Sequence, residues 1–189
     1  MSLQPPPSVG KLQGVLRAKA KEAPNYRFYA LYDKLYRADV LEWAYALCRM
    51  NKGAPGCDEE TFLAIESYGV ERWLGELAQE LKDKTYRPQA LRRVWIPKGD
   101  GKMRPLGIPT IRDRVVQAAA TLVMEPIFDE DLQPEQHAYR AGHGAHQAVC
   151  EVQGWLDRGY IEVVDADLSG YFDSIPHHEL MQCVGKRSG

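Results

Sequence analysis

The sequence predicts an α+β fold in which helices predominate and a single β-hairpin interrupts them. Apolar residues recur every three to four positions in several segments, which is the spacing of an amphipathic helix. Two strand-like stretches flank a Gly-Asp-Gly turn between residues 91 and 109, as is typical of a hairpin. Residues 160–168 form another apolar stretch that ends in carboxylates, and we expect a strand there.

The helices follow from local signals. Residues 39–50 and 70–81 carry apolar side chains at helical spacing. Thr110 is expected to cap a third helix that ends at Pro126. A fourth begins at Ala145 and closes at Gly159, and a fifth begins at Pro176, since proline favours a first turn. Residues 1–24 lack a sustained apolar pattern, so we expect them to be mobile.

Positive charge is concentrated around the predicted hairpin. The window from Lys82 to Arg114 contains ten basic and three acidic residues, a net charge of +7, which leaves −9 for the rest of a chain that totals −2. Lys98, Lys102 and Arg104 fall near the tip of the hairpin. Because clustered cations bind phosphates, the hairpin is predicted to bind a polyanion, with a solvated charged face as the alternative.

The end of the predicted strand supplies a candidate metal ligand. Side chains alternate along a strand, so Asp165 and Asp167 share one face while Val164 and Leu168 share the other. Mg²⁺ prefers hard oxygen ligands and is bound by carboxylates together with substrate phosphates. An isolated Asp-x-Asp more often simply ends a strand, but the basic hairpin upstream indicates an enzyme that acts on a polyanion.

Other function classes find no support in the sequence. No apolar run is long enough for a transmembrane helix, and no apolar signal sequence follows Met1. The four cysteines show no disulfide or zinc spacing, and the five histidines do not pair with them. We therefore expect a cytoplasmic protein with reduced thiols.

Eight short blocks follow one another between about residue 28 and residue 184. They are Leu31-Tyr32-Asp33-Lys34, Asn51-Lys52-Gly53-Ala54-Pro55-Gly56, Tyr86-Arg87-Pro88, Ile96-Pro97-Lys98, Arg104-Pro105-Leu106-Gly107-Ile108-Pro109-Thr110, Asp113-Arg114-Val115-Val116-Gln117, Glu125-Pro126-Ile127-Phe128 and the block around Asp167. In content and order these blocks resemble the reverse transcriptases encoded by group II introns, the maturase-reverse transcriptase family.

The resemblance implies a right-hand polymerase fragment. Residues 25–125 would form a helical fingers-like region with the hairpin, and residues 126–189 the first part of the palm. The implied activity is Mg²⁺-dependent, RNA-directed DNA synthesis together with intron splicing and mobility. The implied partners are an RNA template or intron RNA, a DNA primer or target, and deoxynucleoside triphosphates (dNTPs), with no membrane.

The resemblance also implies roles for particular residues. Asp167 would be the catalytic, metal-binding carboxylate, with the Leu168 carbonyl as a further ligand. Phe172 would exclude a 2′-hydroxyl, although a core aromatic is the alternative interpretation. The remaining residues would bind phosphates: Lys98 and Arg104 the incoming dNTP, and Arg92, Arg93 and Lys102 the RNA.

Two departures from the family pattern modify the expectation. Ala138-Tyr139-Arg140 and Gly142-His143-Gly144 replace the family's Gly-Phe-Arg and Gly-x-Ser. The family's second catalytic block, aromatic-x-Asp-Asp, does not occur before Gly189. We therefore expect this portion to be inactive alone. The alternative function is a non-catalytic, maturase-type RNA-binding module that assists intron folding.

Overall fold

The computed structural model describes residues 4–97, 99, 101–168 and 170–189. The predicted α+β class is confirmed, because helices are joined by a two-stranded antiparallel hairpin. The helices are α1 (Pro7–Glu22), α2 (Tyr32–Leu35), α3 (Ala38–Met50), α4 (Phe62–Tyr68), α5 (Val70–Lys82), α6 (Ile111–Phe128), α7 (Ala145–Asp157), α8 (Tyr171–Ser174) and α9 (His177–Arg187). The strands are β1 (Arg92–Pro97) and β2 (Met103–Ile108), and a 3₁₀ turn, Asp129–Asp131, follows α6.

Helix α6 is the centre of the core, where it packs against α3 and α1. Its buried face is apolar along nearly its whole length, from Ile111 through Val115 and Ala119 to Ile127. Helix α5 adds a buried stripe at helical spacing, and this confirms the helix predicted for residues 70–81. The helix predicted for residues 39–50 is confirmed as α3.

The expectation of a mobile N-terminal segment is wrong for residues 7–22. These residues form α1, whose buried side chains are Val9, Leu12, Leu16 and Ala20. Their spacing of three and four residues places them on one helix face. The buried face has one apolar residue per helical turn, and the last of them is an alanine. This pattern is too weak to predict a helix from the sequence alone.

The predicted end of the third helix at Pro126 is also wrong, since α6 continues to Phe128. A proline inside a helix has no N–H for the carbonyl four residues earlier, which here belongs to Leu122. The side-chain Nε2 of Gln13 on α1 donates to that Leu122 oxygen over 3.1 Å. A tertiary contact therefore replaces the missing helical hydrogen bond.

The predicted hairpin is confirmed, with Arg92 opposite Ile108 and Pro97 opposite Met103. By contrast, the strand predicted for residues 160–168 is wrong, because these residues belong to no helix or strand. Their backbone groups from 161 to 168 make no hydrogen bond to another backbone group in the described part of the chain. A strand requires a partner for its backbone, and apolar composition alone does not provide one.

Helix α7 closes as predicted, with Gly159 at a φ of 93° just beyond its end. Glycine adopts such angles without steric cost. Unlike α1, α3, α5 and α6, this helix has no buried residue. No described helix combines the length and the apolar character that a membrane crossing requires.

Candidate functional site

The base of the hairpin is fixed to α6 by a buried carboxylate. Asp113 is 3% exposed, and its two oxygens accept hydrogen bonds from the Tyr86 hydroxyl and from the Gln89 backbone N–H. Burial and this contact with Asp113 raise the pKa of Tyr86, so the phenol stays a donor. The Asp113 N–H donates to Thr110 Oγ1 and confirms the predicted cap, while the Asp113 carboxylate holds the chain that enters β1.

The loop at residues 51–56 packs against the first turn of α6. Arg114 donates to the Ala54 carbonyl over 2.7 Å. A Cβ atom on Gly53 would collide with the Arg114 guanidinium, and one on Gly56 would lie 2.6 Å from the Thr110 backbone nitrogen. These glycines therefore permit close packing within the protein.

Two arginines of the basic window are used inside the protein. Arg112 forms an ion pair with Glu80 over 2.7 Å and lies over the Trp73 ring, and Arg114 binds the loop described above. These two cations belong to the structural base of the hairpin. These two contacts reduce the charge of the window that is available to phosphates, whereas the hairpin cations Arg92, Arg93 and Arg104 are exposed.

The register of the hairpin separates the predicted RNA-binding residues. Arg92 and Arg104 share one face with the half-buried Val94 and Ile96. Arg93 lies on the opposite face, beside Trp95, which is 55% exposed. A cation beside an exposed indole is the combination that binds stacked bases and phosphates in single-strand channels.

Lys102 lies in the turn between the strands and is exposed. Lys98, which was assigned to the incoming triphosphate, lies outside the described residues. Arg104 is exposed near the same end of the hairpin, directly opposite Ile96. Arg104 and Lys102 are therefore both exposed to solvent at this end of the hairpin.

A shallow depression of about 580 Å³ is formed around Asp167. Its lining is nearly continuous in sequence and comprises Ala166, Asp167, Leu168, Gly170, Tyr171, Phe172 and, from a distant loop, Tyr139. Gly170 has a φ of 61°, a left-handed angle that turns the chain directly into α8. This turn brings Asp167 and Phe172 to the same depression.

Aromatic contacts define the wall of the depression. Phe172 is 69% exposed in this chain. It meets Tyr171 and Tyr139 edge to face, with ring centroids 5.4 and 6.2 Å away. Tyr139 was not assigned a role from sequence, although its place in the Ala138-Tyr139-Arg140 block was a signal. The adjacent Arg140 holds this loop by donating to Asp129 over 3.0 Å.

The carboxylates around the depression do not form a complete metal site. Asp167 lines it and is exposed, whereas Asp165 is not part of the lining. Among the residues with described positions, no group of three acidic, histidine or cysteine side chains could hold a metal ion. Asp167 and the Leu168 carbonyl are hard oxygen donors that suit Mg²⁺, but they supply only part of its ligands. Arg104 and Lys102 do not line this depression either.

The helix that follows the depression is anchored by Arg187, a residue that the sequence did not single out. Arg187 is 5% exposed. Its guanidinium donates to four carbonyls at and just after the end of α1, those of Ala20, Ala23, Pro24 and Tyr26. Its Nε also lies 2.9 Å from Asp131 Oδ2. We call this set of contacts the Arg187 clasp.

Backbone hydrogen bonds extend the clasp. The Phe28 N–H donates to the Arg187 carbonyl over 2.7 Å, and the Gly189 N–H donates to the Phe28 carbonyl over 2.8 Å. The end of α9 is thus bound to the chain between α1 and α2. The chain that follows Asp167 and Phe172 is therefore held against the helical core through the end of α9.

Comparison with known proteins identifies the class of this domain. Residues 96–188, which include the second half of the hairpin and the Asp167 depression, match the family described as reverse transcriptase (RNA-dependent DNA polymerase). The chain is 36% identical over 186 residues to protein YkfC of Escherichia coli, a match that covers 95% of this chain and 48% of YkfC.

Two further relatives specify the type of reverse transcriptase. The group II intron-encoded protein LtrA of Lactococcus lactis is 34% identical over 160 residues, which cover 83% of this chain and 26% of LtrA. The mitochondrial nuclear intron maturase 1 of Arabidopsis thaliana is 26% identical over 41% of this chain and 11% of its own length. The chain thus matches the reverse transcriptase family in residues 96–188 and is similar to group II intron-encoded proteins and maturases, and it spans about half or less of the length of these relatives.

Proposed function

We propose that this chain is the nucleotide- and RNA-binding portion of an RNA-directed DNA polymerase of the group II intron type. In this proposal residues 25–125 are the fingers of a right-hand polymerase and residues 126–189 begin its palm. The observation that carries the proposal is the depression in which Asp167 and Phe172 lie together inside the family match.

Asp167 is assigned as the metal-binding carboxylate, with the Leu168 carbonyl as a further donor. A bound Mg²⁺ would neutralise developing charge on the phosphoryl oxygens during nucleotidyl transfer. Since no group of three ligands is present among the described residues, Asp167 requires further carboxylates to complete the site. The isolated chain is therefore proposed to bind RNA and dNTPs without catalysing nucleotidyl transfer.

Phe172 is assigned to sugar selection. Its exposed ring is supported at the edge by Tyr139 and Tyr171, which restricts the positions that the ring can occupy. The resemblance to the family implies that a ring in this place excludes a 2′-hydroxyl, so dNTPs would be favoured over ribonucleotides. Tyr139 would act through this support of Phe172.

The hairpin is assigned to phosphates and bases. Arg104 and Lys98 are proposed to hold the triphosphate, because a guanidinium binds phosphate oxygens in pairs. Arg93 with Trp95 would contact single-stranded RNA on one face, while Arg92 and Lys102 would contact its backbone. The ligands are an RNA template or intron RNA, a DNA primer or target, and dNTPs.

The second candidate function is a maturase-type module that binds intron RNA without chemistry. The incomplete set of metal ligands favours it for the isolated chain. The test is extension of a DNA primer on an RNA template by this chain mixed with the part of YkfC that it does not match. Mg²⁺-dependent dNTP incorporation supports the polymerase. Tight RNA binding without incorporation in a purified 1:1 complex would contradict it in favour of the module.

A further inference from the structure

We propose that His137 and His143 form a binding site for a divalent transition-metal ion, and that Zn²⁺ is the ion that suits it best. The two imidazoles supply two ligands, and water supplies the others. Both histidines lie in the loop that precedes α7, and neither lines the Asp167 depression. The proposal depends on the geometry of this loop and not on the polymerase function.

The first observation is the spacing of the two imidazoles. The Nδ1 atoms of His137 and His143 are 3.4 Å apart, which is longer than the usual hydrogen bond of about 2.7–3.2 Å. Two nitrogens that bind one tetrahedral Zn²⁺ at about 2.0–2.1 Å each lie about 3.3–3.4 Å apart. The ring centroids are 5.4 Å apart and the ring planes are inclined by 52°. The rings therefore do not stack, and their Nδ1 atoms face each other at the spacing of two ligands.

The second observation is the carboxylate on the other side of the His137 ring. His137 Nε2 lies 2.8 Å from Glu151 Oε2, a contact that places the ring proton on Nε2. A neutral imidazole with its proton on Nε2 has a lone pair on Nδ1. Histidines that bind metals almost always donate their other N–H to a carboxylate or carbonyl, which orients the ring and raises its basicity. Glu151 therefore leaves His137 Nδ1 available as a ligand.

The third observation is that the loop is held in place by its own contacts. The His137 side chain is only 17% exposed. Between the two histidines, Arg140 donates to Asp129 over 3.0 Å and to the Gln133 carbonyl over 3.2 Å. The His143 N–H donates to the Arg140 carbonyl over 3.2 Å. Because both imidazoles are already close to the positions that an ion requires, the entropic cost of binding is small.

The donor atoms determine which ion binds. Imidazole nitrogens suit zinc, copper and nickel, whereas Mg²⁺ prefers oxygen ligands. The site therefore does not compete with Asp167 for Mg²⁺. No group of three histidine, cysteine or acidic side chains could hold a metal in the described part of the chain, so the ion has two protein ligands. A closed structural zinc site has four, and binding here is expected to be weaker and reversible.

The expected effect of the ion is to close the loop that carries Tyr139. Tyr139 lies between the two histidines in the sequence and has a φ of 58°, an angle that few residues other than glycine adopt. Its ring meets Phe172 with the centroids 6.2 Å apart. An ion bound to both histidines would restrict residues 137–143 to the conformation that makes this contact.

The experiment titrates the chain with ZnCl₂ in excess Mg²⁺ and follows the histidine ring resonances by NMR. The resonances of His137 and His143 should change together, and hydrogen exchange should slow in residues 137–143. His143→Gln should weaken this binding by about 100-fold, since one of two protein ligands is lost. Glu151→Gln should weaken it by about 10-fold, as is typical when the partner of a ligating histidine is removed.

The matched control is His146→Gln, because His146 Nδ1 lies 3.6 Å from Cys150 Sγ on α7 and this pair is the competing zinc ligand set. The control should leave the changes at His137 and His143 as they are in the parent. His143→Cys replaces one zinc ligand with another and should restore binding, which a purely structural role of His143 would not predict.

Three results would overturn the proposal. They are no change at the two histidines, equal binding by His143→Gln and the parent, and loss of binding in His146→Gln. Zn²⁺ bound by cysteines only would count as the first of these. None of these readouts involves RNA or dNTPs, so failure of the metal site is distinguishable from failure of the polymerase function.

Discussion

Removal of the Arg187 side chain is expected to detach α9 from the helical core. In the variant Arg187→Met, the four carbonyls of Ala20, Ala23, Pro24 and Tyr26 lose their donor. Asp131 loses the cation that lies 2.9 Å away. Methionine keeps an unbranched apolar chain, so the loss is mainly one of charge and hydrogen bonds.

The magnitude follows from the burial of the clasp. Breaking a buried charge pair by removing one partner costs about 3–5 kcal/mol, and hydrogen bonds to a charged group contribute about 1.5–3 kcal/mol each. Because the carbonyls can rehydrate once α9 detaches, we expect about 3 kcal/mol. For a chain of this size that corresponds to a fall in Tm of about 6–12 °C.

The assay combines thermal unfolding by circular dichroism with hydrogen exchange. The matched control is Lys186→Met, because Lys186 precedes Arg187 on α9 and is exposed. If α9 detaches locally, amides of residues 177–189 and of Phe28 should lose protection before the core unfolds. The reasoning would be refuted if Arg187→Met matched Lys186→Met in both Tm and amide protection.

The remaining predictions concern the core, the hairpin and the depression. Gln13→Ala should lower the free energy of unfolding by about 1 kcal/mol. The cost should be markedly smaller in a Pro126→Ala background, because the alanine N–H can bond to the Leu122 carbonyl that Gln13 otherwise serves. Equal costs in the two backgrounds of this double-mutant cycle would contradict the reasoning. Reversing charge at Arg92 and Arg93 should lower the slope of log affinity for single-stranded RNA against log salt by about 1.4. The matched control reverses two exposed lysines of α1, Lys11 and Lys21. In the complex with the YkfC portion, Phe172→Val should raise ribonucleotide relative to dNTP incorporation at unchanged Tm; an unchanged ratio would remove its assigned role.

Much of the fold could be predicted because its signals are local. Helix α5 has Trp73, Leu74, Leu77 and Leu81 at helical spacing, and all four are buried. The hairpin has turn residues between two strand-like stretches. In both cases the pattern that forms the element lies within the element itself.

What the sequence did not predict depends on distant partners. Helix α1 is recognisable only through the core that covers its narrow stripe, and the Leu122 carbonyl that lacks a helical donor at Pro126 accepts a hydrogen bond from the distant Gln13. Arg187 contacts residues more than 160 positions earlier, and a single arginine carries no sequence signal of that contact. Residues 160–168 have the composition of a strand but no described partner.

The candidate site could be predicted because most of its residues lie close together in the sequence. Most of the depression is lined by residues 166–172, which are adjacent in sequence. Tyr139 joins them only through the fold, because Arg140 holds its loop against Asp129. Conversely, Arg112 contributed to the predicted phosphate-binding charge but is paired with Glu80. Charge counted along a sequence does not distinguish cations paired internally from cations open to ligands.

The most direct test of the central claim is RNA-templated dNTP incorporation by the complex of this chain with the unmatched portion of YkfC. The comparison is between Asp167→Asn and the matched control Asp165→Asn. If Asp167 binds the metal, its variant should lose incorporation by about 100-fold or more, since one catalytic charge contributes several kcal/mol to the transition state. RNA affinity and Tm should be unchanged, and Asp165→Asn should retain activity. Equal incorporation by Asp167→Asn and the parent would contradict the account.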